Sequence, residues 1–292
     1  MKAKRHELKQ AWEICAGELR RWFTTPRIWI VVVFAVLWMH STLGGIGDFS
    51  RSVGEPATPW GFPFAFANWH LVLVAVLMEV LLFCNAPFMN EGTPYECIRS
   101  GRRAWVIGKL LYIWTGSFIF AVMLWLMGFV QILPDIEWSA EWGRVLKTLA
   151  LTEAGANYLH GSALYSVVRD YTPLAANLIC LALVTMQAAL IGSVIFTLNA
   201  ATRSQGWGVA AGIGLAVILG LESMVVGAVP KAIVMHFLPS GWVNLDQISL
   251  STSSSYPNYA YILTVLGCIY VILYVVVFRI YRIRDIDVME TV

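Results

Sequence analysis

Six long apolar runs, separated by polar stretches, dominate the chain. The first, Ile28 to Gly44, reads IWIVVVFAVLWMHSTLG and follows Pro26, a residue favoured in the first turn of a helix. The second covers Asn68 to Phe88, and the third Leu110 to Leu133, ending at Pro134. The fourth runs from Pro173 to Leu198, the fifth from Trp207 to Val229 before Pro230, and the sixth from Tyr259 to Phe278. About 20 apolar residues rising 1.5 Å each cross a hydrocarbon core of roughly 30 Å, so each run is long enough, or nearly so, to span a membrane. The pattern predicts an all-α membrane protein with six transmembrane helices over residues 28–278, an N-terminal segment 1–27 and a C-terminal tail 279–292.

The polar stretches differ in kind. Residues 9–26 place Trp12, Cys15, Leu19, Trp22 and Phe23 at helical spacing, with the thiol counted as a small hydrophobe. They read as an amphipathic helix lying on the inner leaflet of a membrane; the alternative is an ordinary helix packed on other cytoplasmic protein. Residues 45–67 are rich in Gly and Pro and read as an irregular loop. In the longest loop, 134–172, Trp142, Val145, Leu146 and Leu149 mark a short amphipathic helix lying flat on the surface. The loop 230–258 ends in a serine-rich run.

Composition sharpens this reading. Of the 292 residues 58% are hydrophobic and 13% charged, with mean hydropathy +0.68. Soluble domains carry about a quarter charged residues, so this chain lacks the polar surface to cover a water-soluble body of its size. The abundant Trp and Tyr suit two membrane–water interfaces.

The first 27 residues are basic and lack the apolar core of a signal peptide. The charges are also asymmetric. With the N-terminus inside, the inner segments hold Lys2, Lys4, Arg5, Lys9, Arg20, Arg21, Arg27, Arg99, Arg102, Arg103, Lys109, Arg203, Arg279, Arg282 and Arg284; the outer ones hold Arg51, Arg144, Lys147, Arg169 and Lys231. The positive-inside rule then places both termini in the cytoplasm of a multi-pass cell-membrane protein, with Cys97 inside and Ser253 outside.

Motifs for chemistry are sparse. The chain has no GxxxxGK[ST] phosphate loop and no HExxH, and His6, His40, His70, His160 and His236 are scattered. The five cysteines show no metal spacing and, on this topology, no outer-loop pair for a disulfide. No catalytic residue, metal site or resident cofactor is expected, and no nucleic-acid partner. Glu79 and Glu222 fall inside spanning runs, where an acid lines a polar path or makes a structural hydrogen bond. Gly208 and Gly212 form a GxxxG, a close-packing face whose partner helix lies in this chain or another.

The inner segment Asn85–Trp114, NAPFMNEGTPYECIRSGRRAWVIGKLLYIW, is the most informative stretch. Its plain reading is a positive loop that fixes topology. Yet Tyr95 to Ser100 can form a helical turn or two, with Glu91 and Thr93 before it and Arg99, Arg102 and Arg103 at or beyond its end, an arrangement that suits the helix dipole.

The order Asn90-Glu91-Gly92-Thr93, then Ile98-Arg99-Ser100-Gly101-Arg102, then Gly108-Lys109 resembles the type-2 permeases of ATP-binding-cassette (ABC) transporters. The amphipathic N-terminal helix, the six spans and the stretch Pro239-Ser-Gly-Trp-Val-Asn244 are similar too. Pro94 interrupts the usual run after Glu-Gly-Thr, and Cys97 stands where an apolar residue is common.

The resemblance implies a permease that pairs with a second copy or a paralogue in the lipid bilayer. It implies separate ATPase subunits that carry the ATP and Mg²⁺, docked through a short coupling helix formed by Glu91, Gly92, Thr93, Tyr95, Ile98, Arg99 and Arg102. The apolar, aromatic spans point to export of an amphiphile such as a peptide, lipid or drug-like molecule. The rival class is a channel, carrier or integral membrane enzyme that needs no ATPase.

Overall fold

The computed structural model describes residues 2–89, 92–133, 136–159, 164–225, 231–250 and 255–283. Among the described residues the chain is helical, and its only β pairing is two isolated bridges, Ala57 with Ile136 and Ser249 with Asn258. The helices are α1 (Lys2–Arg20), α2 (Pro26–Val53), α3 (Trp69–Phe83), α4 (Thr93–Ser100), α5 (Arg102–Val130), α6 (Gly143–Leu151), α7 (Ala154–Tyr158), α8 (Tyr165–Asp170), α9 (Pro173–Thr202), α10 (Gln205–Val225), α11 (Lys231–His236) and α12 (Tyr259–Ile283).

Four of these, α2, α5, α9 and α12, are long and apolar enough to cross a membrane; α3 and α10 are apolar but carry shorter apolar stretches, Trp69–Phe83 and Gln205–Leu219. The centre of the bundle is α9, which touches α3, α5, α10 and α12. Two thirds of its most apolar stretch is buried, against about a fifth for α12. The outer face of α12 therefore presents Leu263, Val271, Ile272 and Val275 to its surroundings.

Several expected boundaries move, each for a physical reason. The Gly-rich stretch after Gly44 does not end the first helix, and α2 continues to Val53. Its glycines are contact points: a Cβ on Gly45 would lie 1.8 Å from the Tyr158 carbonyl oxygen, and one on Gly47 2.8 Å from that of Gln131. The helix stops at Gly54, whose φ of 71° suits a left-handed C-cap. The second run ends as helix at Phe83, five residues before Phe88. The third helix starts at Arg102 rather than Leu110, so Arg102, Arg103, Gly108 and Lys109 belong to α5 and not to a loop.

The amphipathic helix expected over 9–26 is α1, ending at Arg20, followed by a 3-10 turn at Arg21–Thr24. Its apolar stripe splits. Ala11 and Cys15 are buried against this chain's own α5, while Trp12 and Phe23 stay exposed. Close approach of the two helices is possible because α5 carries Gly108 there: a Cβ at that position would sit 2.8 Å from the Ala11 carbonyl oxygen.

The helix expected to lie flat, α6, buries Val145, Leu146 and Leu149 within the chain instead. It is part of a cap over the bundle end opposite α1 and α4. Thr58 Oγ1 donates to the Trp142 carbonyl at 2.8 Å, Trp60 Nε1 to the Ser139 carbonyl at 2.7 Å, and Asn244 Nδ2 to the Ala67 carbonyl at 2.7 Å.

The GxxxG of α10 meets helices of this chain. A Cβ on Gly208 would lie 2.4 Å from Asn199 Oδ1 and 2.6 Å from the Ile195 carbonyl oxygen, and one on Gly212 2.8 Å from Val80 Cγ2. Gly214, on the same helix, has open space. Gly208→Ala should therefore destabilise the protein by about 1–3 kcal/mol through overpacking, and Gly214→Ala should be neutral or stabilise it by up to about 1 kcal/mol through helix propensity. Thermal unfolding of the two variants in detergent measures the contrast; equal midpoints would refute it.

Candidate functional site

The candidate site lies at the α1–α4–α5 end of the bundle. Gly101, with φ 80°, makes the turn that joins α4 to α5 without a loop. Its N–H donates to the Cys97 carbonyl at 2.9 Å and its carbonyl accepts from Trp105 N at 3.1 Å, so both helices share one residue as their joint. Only a residue tolerant of positive φ serves there. Pro94 sits in the first turn of α4, where proline is favoured.

The short helix α4 has two unlike faces. Thr93 and Cys97 are buried against the bundle. On the other side Tyr95 and Ile98 are 77% and 83% exposed, three residues apart, with Arg99 beside Ile98. Gly92 precedes the helix, and Arg102 opens α5 just past the joint. Glu91 and Asn90 lie outside the described residues, as do Ser253, the Glu222 side chain and the tail from residue 284. Burial pushes the Cys97 thiol up to about 11; smaller effects come from Lys109, which lowers it, and Glu96, which raises it. Near neutral pH its thiolate fraction is then roughly a hundredfold below that of an ordinary thiol and rises with pH.

The buried face of α4 is held by charges. Lys109, about two turns along α5, is fully buried. Its Nζ donates to Glu18 Oε1 on α1 at 2.6 Å and to the Phe88 carbonyl at 3.0 Å, and lies 5.3 Å from the Trp105 ring centroid. Arg21 Nη1 donates to the same Glu18 oxygen at 2.9 Å, and Arg21 Nη2 stands 3.6 Å from Glu96 of α4. Gln10 Nε2 donates to the Arg99 carbonyl at 3.4 Å. A positive charge that the sequence pattern assigns to a loop thus joins α1, α5 and the segment after α3, and Glu18 and Arg21 extend the network to Glu96 of α4.

That segment reaches further. Phe88 adopts a left-handed φ of 60°, which costs a non-glycine residue about 1–2 kcal/mol, and is held there by ring contact with Tyr112 at 4.7 Å. Two residues earlier, the Ala86 carbonyl accepts from Asn199 Nδ2 at 2.7 Å, and Asn199 Oδ1 accepts from Gly208 N at 2.7 Å. Lys109, Glu18 and Asn199 escape sequence reading. A signal was present for the first two, since Lys109 follows Val106 and precedes Ile113 at helical spacing, and Glu18 continues the Ala11–Cys15 stripe. A charge on an apolar face calls for a partner.

Glu79 is fully buried on α3 and faces α9. Gln187 Nε2 donates to its Oε2 at a long 3.4 Å, while Glu79 Oε1 and Gln187 Oε1 are without partners. Among the described residues no three His, Cys, Asp or Glu side chains converge as a metal site would require. Comparison with protein-family models, curated proteins and solved structures finds no match.

The ion pair yields an asymmetric prediction. Glu18→Leu strands Lys109 with a single carbonyl and should cost about 3–5 kcal/mol, the usual effect of breaking a buried pair. Lys109→Met leaves Glu18 its bond to Arg21 and should cost less. The double variant should recover most of the loss. Folded yield by fluorescence-detected size exclusion and thermal midpoints check the order; a double variant worse than Glu18→Leu alone would contradict it.

Proposed function

We propose that this chain is the membrane-spanning subunit of an ABC transporter, a permease of the type-2 kind that exports an amphiphilic substrate and is driven by separate ATPase subunits holding the ATP and Mg²⁺. One observation carries the reading: α4 exposes Tyr95 and Ile98 on one side, while Glu96 and the Arg99 carbonyl fasten it to the turn after α1 and to α1, and Thr93 and Cys97 are buried. A loop that only fixes topology needs positive charge. It has no use for a fixed helix with its two largest apolar side chains turned outward. Such a helix suits a groove on a partner, and its direct joint to α5 carries displacement of that partner into the bundle.

On this reading the chain crosses the membrane six times, through α2, α3, α5, α9, α10 and α12. The shortness of α3 is compatible with crossing, because the turn Phe62–Phe66 before it and the residues after Phe83 are largely buried in protein, where irregular backbone is tolerated at membrane depth. Both termini are cytoplasmic, and α4 is the coupling helix. The exposed face of α12 meets lipid or a second permease copy. A second reading, a proton-linked carrier without an ATPase, draws on Glu79, whose burial beside a single amide is the expected setting for a carboxyl that takes up a proton.

Two experiments test this. Tagged wild-type protein should co-purify with an ATPase. The double variant Tyr95→Ala with Ile98→Ala should insert normally but bind that ATPase about 30-fold more weakly, the equivalent of roughly 2 kcal/mol for a central contact pair. Lys9→Ala, exposed on α1, serves as control. Absence of any ATPase, or unchanged binding and stimulated turnover in the double variant, would favour the carrier.

Sidedness is tested separately with an impermeant maleimide on a background lacking the native cysteines. Ile98→Cys should react only in opened cells and Arg144→Cys in intact ones. Cys97 restored alone to that background, buried and with its thiol pushed up to about 11, should react far more slowly than Ile98→Cys even in opened membranes. Labelling of Ile98→Cys in intact cells would invert the topology.

A further inference from the structure

We propose that the elbow between α1 and α2 is a binding site for an anionic phospholipid, with its phosphate held by Arg27 and an acyl chain lying in the groove beside it. Two voids meet there. One is a cavity of about 470 Å³ walled by Glu18, Arg21, Trp22, Arg27, Asn85 and Tyr112, its one carboxylate already engaged by Lys109 and Arg21. The other is a groove of about 310 Å³ whose walls are hydrocarbon and aromatic, among them Leu19, Phe23, Val32, Leu82 and Phe120. Trp22 and Ile28 line both, so polar and apolar compartments share a wall. Each volume falls in the range of small-molecule pockets, roughly 300–1,000 Å³.

The charge balance selects an anion. Lys109 is matched by Glu18, and Arg21 by Glu18 and Glu96. Among the described residues Arg27 has only neutral partners: Nη1 lies 3.1 Å from Cys84 Sγ and Nη2 donates to Asn85 Oδ1 at 2.9 Å, while its buried Nε has no partner there. Among the described residues one guanidinium at the cavity wall is therefore without a counter-ion. Arg27 also sits in the first turn of the 28-residue α2, whose positive dipole end adds to the same field. A guanidinium matches phosphate oxygens in geometry as well as charge.

The groove selects a lipid over a free anion. It runs along α2 and α5, two of the helices long enough to cross a membrane, and offers a soluble phosphate nothing. Trp22 stands at the boundary with its indole N–H donating to Tyr112 Oη at 2.8 Å, in the manner of rings at a headgroup interface. The site belongs to the leaflet on the α1 side. It does not depend on the transporter reading, since any multi-pass role leaves this elbow in contact with lipid.

The test uses the full chain in a mild neutral detergent, titrated with short-chain phosphatidylglycerol, short-chain phosphatidylcholine or inorganic phosphate, and followed by thermal unfolding. Phosphatidylglycerol should raise the midpoint saturably, and the other two should have little effect. Arg27→Gln should weaken the apparent affinity about tenfold, as loss of a charged hydrogen bond implies. Val32→Trp, which fills the groove and leaves the arginine in place, should weaken it as well. Arg51→Gln, at the other end of α2, should respond as wild type.

Equal responses to the two lipids would mean that the headgroup charge is not read. An equal response to inorganic phosphate would assign the cavity to a soluble anion. Wild-type affinity in either Arg27→Gln or Val32→Trp would also overturn the proposal, and if Arg27→Gln does not fold, Val32→Trp decides alone.

Discussion

A lysine ammonium cut off from water must be neutralised where it stands, and Lys109 imposes that condition on everything around it. Removing an ion pair from water costs several kcal/mol per ion before any attraction is counted. The geometry answers with a carboxylate at 2.6 Å, a carbonyl at 3.0 Å and an aromatic face. Each partner comes from a different part of the chain. Glu18 requires α1 to lie along α5; the Phe88 carbonyl requires the segment after α3 to adopt a left-handed residue; Trp105 comes from α5 itself. The N-terminal helix is thus part of the bundle and not an appendage. The surface of α4 is defined because its underside is tied to the same network.

A second network continues from the first. Phe88 and Ala86 belong to one short segment, and Asn199 ties that segment to α9 and to the start of α10. Asn199 also explains Gly208: the amide oxygen that accepts from the Gly208 N–H occupies the space a side chain would need. Charged and amide side chains therefore set the helix packing at this end. At the other end, backbone contacts of tryptophan, threonine and asparagine knit the connecting segments into a cap. Between the ends the core is mostly apolar, with Glu79 and Gln187 as exceptions, and its helices approach through glycine, as at Gly192, where a Cβ would sit 2.9 Å from both Phe83 and Ile113.

The membrane character and the positions of the long helices are legible in the sequence because hydrocarbon forces runs of apolar residues of a fixed minimum length. Helix ends are less so. Gly44 to Gly47 read as a break because glycine has low helix propensity, yet here it is kept for contact with Tyr158 and Gln131, partners more than eighty residues away. Periodicity cannot reveal that. The same holds for Lys109, counted as a topology charge, and for the split stripe of α1. The α4 segment was legible in outline from its composition and from the Gly101 break. Which of its residues face outward was not, since that depends on where α1 lies.

The unbroken joint at Gly101 and the tight crossing at Gly192 together give α5 the form of a first-class lever. At 29 residues it is about 43 Å long. Its contact with α9 through Ile113 has no slack and so acts as a fulcrum. The arm from Ile113 to Val130 exceeds the arm from Arg102 to Ile113 by a factor of about 1.5, at a uniform rise per residue. A sideways push on α4 would then reappear at the opposite end reversed in direction and somewhat enlarged. It would arrive where Gln131 meets His40 and Gly47 of α2, a polar contact able to make and break as the far arm swings.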